Sequence, residues 1–101
     1  MRRLYDLAYG RSGDKGNIAN ISVIARSPEA YAEIKAKLTA ERVKAHFGDL
    51  VRGEVRRYDL DNIEALNFVL VDALDGGGTR SLRIDGLGKS LAGALLYMEW
   101  E

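Results

Sequence analysis

The chain has 101 residues, with 15 Lys and Arg balanced by 15 Asp and Glu, a single His and no Cys. At 47% apolar and 30% charged it has the composition of one ordinary globular domain over residues 1–101, and its zero net charge removes the broad attraction on which non-specific nucleic-acid binding depends. Without cysteine there is no disulfide, thiolate nucleophile or thiolate metal site, and His46 alone makes no histidine centre, so neither metal nor cofactor is expected.

The first residues, Met1-Arg2-Arg3-Leu4, lack the apolar run of a signal peptide. No stretch of about 18 apolar residues occurs either, so a cytoplasmic protein without a membrane partner is expected. Leu4 to Tyr9 and Ile18 to Ala25 read as strands, joined by the loop Gly10-Arg11-Ser12-Gly13-Asp14-Lys15-Gly16-Asn17. Pro28 is tolerated in a first helical turn, and Tyr31, Ile34, Lys35 and Leu38 follow at helical spacing. Val43, His46 and Phe47 continue a helical pattern to a stop at Gly48.

Gly53 to Leu60 predicts a third strand with one wet face. Asp61-Asn62-Ile63-Glu64 has the form of a capping box, and Ile63, Leu66, Val69, Leu70 and Leu74 recur at helical spacing, so a helix is expected there despite the β-prone run Phe68-Val69-Leu70-Val71. Gly76-Gly77-Gly78 would end it. Ser81 to Asp85 reads as a fourth strand, and Leu91, Ala94, Leu95 and Met98 as a last helix, with a strand over Leu95 to Trp100 as the alternative. The order predicts an α+β two-layer sandwich whose helices cover one face of a roughly four-stranded sheet. The other face is left for an oligomer or a docked subunit, with Tyr5, Tyr9, Tyr58, Phe68 and Trp100 as aromatic anchors.

Three turns carry the polar chemistry. In the first, glycines allow close backbone approach while Arg11 and Lys15 supply charge and Ser12, Asp14 and Asn17 polar contacts, a composition that suits either an anion-binding loop or a hairpin. The second is Asp75 with Gly76, Gly77 and Gly78, preceded by Asn67, which needs a hydrogen-bond partner if it is buried. In the third, Gly88-Lys89-Ser90 imitates the end of a phosphate-binding P-loop, but Arg83 stands where its first glycine is required. What survives is a turn in which Asp85 and Lys89 could face an anionic group. The expected ligand site gathers Arg11, Ser12, Gly13, Asp14, Lys15, Gly16, Asn17, Asn67, Gly76, Gly77, Gly78, Asp85 and Lys89 at one end of the sheet. His46 reads as a packed or rim histidine, and Arg56, Arg57 and Asp59 as the charged rim of an edge strand.

Leu7-Ala8-Tyr9-Gly10-Arg11-Ser12-Gly13-Asp14-Lys15-Gly16-Asn17, then Leu66-Asn67-Phe68-Val69-Leu70 with Leu74-Asp75-Gly76-Gly77-Gly78, then Leu82-Arg83-Ile84-Asp85 with Gly88-Lys89, resemble in order the C-terminal ferredoxin-like domain of the AtuA family, associated with acyclic terpene utilisation. The resemblance implies a ferredoxin-like fold and a place in the breakdown of branched, isoprenoid-type acids or their coenzyme A esters. It assigns no catalytic residue. Because members commonly carry a much larger N-terminal domain, it also implies that this chain is either a separate subunit that docks onto such a domain or a module with its own ligand. An accessory or binding module is therefore expected, with an anionic small molecule as a further ligand. The alternative is a small acyl-CoA or carboxylic-acid enzyme using Asp14 or Asp85 as acid or base and Arg11, Lys15 or Lys89 to hold an anion.

Overall fold

The computed structural model describes residues 2–15, 18–72 and 91–100, with the backbone only at residues 14 and 15. Strands β1 (Ala8–Lys15), β2 (Ile18–Ala25), β3 (Val55–Leu60) and β4 (Ala65–Val71) form an antiparallel sheet in the order β1-β2-β4-β3. Three helices accompany them: α1 (Pro28–Lys37), α2 (Ala40–Phe47) and α3 (Leu91–Leu96). This is an α+β arrangement consistent with a ferredoxin-like fold.

Local chemistry sets the helix boundaries. The Ser27 hydroxyl accepts from Ala30 N–H at 3.0 Å and Pro28 begins α1, while Thr39 accepts from Arg42 N–H at 3.0 Å to open α2. Gly48, at φ 58°, stops α2 in a conformation that side chains other than glycine resist. At Gly53 the constraint is space: a Cβ there would lie 2.6 Å from the carbonyl oxygen of Val71.

Strand alternation divides the sheet into two faces. Ala19, Ile21 and Val23 of β2 and Leu66, Phe68 and Leu70 of β4 point to one side and are buried with Ile34, Leu38, Val43, Leu91 and Leu95 from the helical layer. Gly10 lies on this side of β1, where an added Cβ would come within 3.1 Å of Leu96. Arg57 of β3 also serves the covered side, donating to the carbonyls of Lys35 and Leu38 at 3.0 Å each and so capping the end of α1.

Four sequence expectations change. The segment 10–15 is strand, not loop, because its backbone pairs residue by residue with apolar β2 from Gly10↔Val23 to Lys15↔Ile18. The first strand accordingly starts at Ala8, after a 3-10 turn over Leu4–Asp6. The helix expected from Ile63 to Leu74 is a 3-10 turn over Asp61–Ile63, a left-handed Glu64 at φ 54°, and then β4, whose residues alternate between buried and half-buried. Phe68 and Trp100, expected as interface anchors, are 0% and 3% exposed and belong to the core. The strand expected at Ser81 to Asp85 lies outside the described residues. Over 88–100 the described chain is α3 followed by a single bridge, Glu99 to Arg3.

Candidate binding surface

The second face of the sheet carries large exposed side chains. Tyr9 is 55% exposed, Ile18 48%, Tyr58 47% and Leu60 36%, all at positions that alternate with the buried ones. Strand register arranges this face in transverse rows. Tyr9, Ile24, Ala65 and Leu60 form one, and Arg11, Ser22, Asn67 and Tyr58 the next. The following row is Gly13, Asn20, Val69 and Arg56, and beyond it Ile18 pairs with Val71. Side chains opposite one another in such a row have Cβ atoms about 5 Å apart, so neighbours in a row lie side by side, with Ala65 fully buried beneath its own.

The polar row has internal order. Ser22 Oγ donates to Asn67 Oδ1 at 3.1 Å, which fixes the amide and leaves its N–H₂ group without a partner among the described residues. Arg56 bridges Glu54, at 2.8 Å, and Tyr58; this raises the Arg56 pKa and holds the Glu54 carboxyl below its ordinary value, chiefly through the hydrogen bond. Charge on the β3 side is thus paired. Arg11, exposed on β1, has no hydrogen-bond or ion-pair partner among the described residues. At the end of the apolar row the Arg26 guanidinium stacks 4.0 Å above the Tyr9 ring.

Of the expected site residues, Arg11 and Asn67 share this face, two strands apart, and Gly13 stands beside Asn20 in the next row. Ser12 pairs with Ile21 on the covered side. Asp14 and Lys15 are placed by backbone only, and Gly16, Asn17, Gly76, Gly77, Gly78, Asp85 and Lys89 lie outside the described residues. Sequence reasoning missed Ser22 and placed Tyr58 on the open face only as an aromatic anchor, not in this polar row. Their signal was the period-two alternation of their strands, Ile21-Ser22-Val23 and Arg57-Tyr58-Asp59.

Elsewhere, ionisable groups with displaced pKa values are engaged in holding elements together. Burial and the hydrogen bond to Asp61 push Tyr31 up to about 12, and the Tyr31 hydroxyl followed by Lys35 holds Asp61 down. Glu33 is lowered by Trp100 Nε1–H and then by Arg2. His46 Nε2–H donates to the Ala94 carbonyl at 2.9 Å, tying α2 to α3. A shallow depression of about 580 Å³ is lined by Lys44, Gly48, Asp49, Val51 and Arg52. Its Lys44 ammonium is already bonded to the carbonyls of Val51 and Gly53 at 2.9 and 2.6 Å.

Fold and surface together define a small α+β protein with one sheet face covered by helices and the other presented. The chain matches the AtuA ferredoxin-like domain over residues 2–101 and belongs to that family. No curated protein and no solved structure matches it significantly. Among the described residues no helix is long and apolar enough to cross a membrane.

Proposed function

We propose that the chain is a non-catalytic accessory module that binds a protein through the open face of its sheet. It would serve the breakdown of acyclic terpenoid or branched-chain acids or their coenzyme A esters, the setting that resemblance to AtuA implies. One observation carries the reading: Tyr9, Ile18, Tyr58 and Leu60 stand exposed on a single face, whose opposite side carries the buried core residues Ile21, Val23, Leu66, Phe68 and Leu70. The face is broad and crossed by a polar row, which suits a protein surface better than a small molecule, since small ligands favour concave sites. A second copy and a larger AtuA-like N-terminal-domain subunit are the two partners that fit this role.

Native extract tests the proposal. The chain is expected to migrate well above its monomer mass of 11.2 kDa, and Asn67→Arg, which puts a charge in the middle of the face, is expected to return it to monomer without altering its circular dichroism. Migration as a monomer in extract would overturn the proposal. So would acyl-CoA turnover by the purified chain that survives Asn67→Arg and is lost in Asp14→Asn.

A further inference from the structure

We infer that the partner on the open face is a second copy of this chain, stacked sheet to sheet about a two-fold axis parallel to the strands. The inference rests on the reading of this face as a docking surface and names its occupant. Such an axis keeps each transverse row in register with itself and reverses its direction, so the β1 position of one copy faces the β3 position of the other, and β2 faces β4. Aligned packing of two sheets within about 30° preserves this correspondence near the centre.

All but one of the accessible pairs made by that operation are complementary. In the polar row Arg11, without a partner among the described residues, falls on the exposed ring of Tyr58 of the second copy, a cation–π pairing. Ser22 falls on Asn67, whose N–H₂, unpartnered among the described residues, can donate to the hydroxyl across the interface. In the neighbouring row Tyr9 meets Leu60, while Ala65, beside Ile24, is fully buried and adds no contact. Beyond the polar row Arg56 meets Gly13, so its long side chain faces the position with no side chain, Asn20 meets Val69 as the one unlike pair, and further along Ile18 meets Val71. No cation is set against a cation in these pairs.

The alternative two-fold axis, running across the strands through the same centre, does less well. Each axis sets one amide on Val69, Asn20 under the first and Asn67 under the second, but only the second also sets a carboxylate, Glu54, on the apolar Leu60, which is costlier when buried. The Arg11–Tyr58 and Ser22–Asn67 pairs, with Glu54 kept off Leu60, therefore favour a second copy in the first orientation.

The absence of cysteine in the chain makes cross-linking direct. Gly13→Cys and Arg56→Cys are prepared separately: a Cβ at Gly13 meets nothing closer than Asn20 Oδ1 at 3.7 Å, and Arg56 is an exposed side chain. With a short bis-maleimide, an equimolar mixture of the two full chains is expected to yield a covalent dimer, and each variant alone little or none. Sedimentation of the unmodified protein is expected to show a species of twice the 11.2 kDa monomer mass, and Asn67→Arg to weaken its association at least about tenfold. A monomer at all concentrations would overturn the inference, as would cross-linking of either variant with itself in preference to the mixture. If the native extract shows association through this face while the mixture does not cross-link, the second copy is wrong and the docking surface stands with a different protein on it. If both fail, both readings fall.

Discussion

Phe68→Ala is expected to lower the free energy of unfolding by about 3–5 kcal/mol, the cost of removing a large aromatic side chain from a packed core. Phe68 is fully buried on β4, between Ile21 of β2 and Arg57 of β3 in the register, and belongs to the central apolar cluster. Domains of this size have roughly 5–15 kcal/mol in total, so the variant would be near the limit of folding at ambient temperature. Urea denaturation checks it. A loss below about 1 kcal/mol, with weakened association instead, would mean that Phe68 faces outward and that the face assignment of β4 is inverted.

Trp100→Ala is expected to cost a similar amount, about 3–5 kcal/mol, because the residue clasps the two ends of the described chain together. Trp100 is 3% exposed, its backbone N–H donates to the Arg2 carbonyl at 2.9 Å, and its indole Nε1–H donates to Glu33 Oε2 at 2.6 Å. Arg42 stacks 4.4 Å from the ring and donates to the Trp100 carbonyl at 3.2 Å. The indole donor, followed by Arg2, holds the Glu33 carboxyl below its ordinary value of 4.5. A lowered carboxylate pKa contributes stability that is fully present above the unfolded value and is lost as pH falls through the folded one. The milder Trp100→Phe should therefore flatten the acid limb of the stability profile below about pH 4.5, as well as lowering stability at neutral pH. An acid limb as steep in Trp100→Phe as in the wild type would show that Glu33 takes its depression from elsewhere.

The α1 and α2 boundaries were legible because they rest on local chemistry: Ser27 with Pro28, Thr39 at the second cap, Gly48 at the stop. Strand β2 was legible for the same reason, its β-branched residues standing in one short run. Strand β4 was not, because two periods coexist in its sequence. Leu66, Leu70 and Leu74 recur every four residues, while Leu66, Phe68 and Leu70 recur every two. Only pairing with β2 and β3 on either side decides for the strand, and that is a tertiary fact.

The same limit governed Arg11 to Lys15, whose glycines and charges read as a loop until β2 is laid beside them. It also governed the aromatics. Nothing near Trp100 in the sequence announces that Glu33 will meet its N–H, so burial and exposure of the five expected anchors could not be separated. The candidate surface was half visible: Arg11 and Asn67 are conspicuous polar residues, but Ser22 and Tyr58 join them only through strand register.

Hydroxyl-radical footprinting of the four exposed tyrosines, in dilute monomer and in the associated state, tests the open face most directly. Tyr9 and Tyr58 lie on that face, whereas Tyr5 and Tyr97 are 47% and 67% exposed outside the four strands. Association is expected to protect Tyr9 and Tyr58 while Tyr5 and Tyr97 keep their reactivity. Full reactivity at Tyr9 and Tyr58 in the associated state would contradict the assignment of this face as the binding surface.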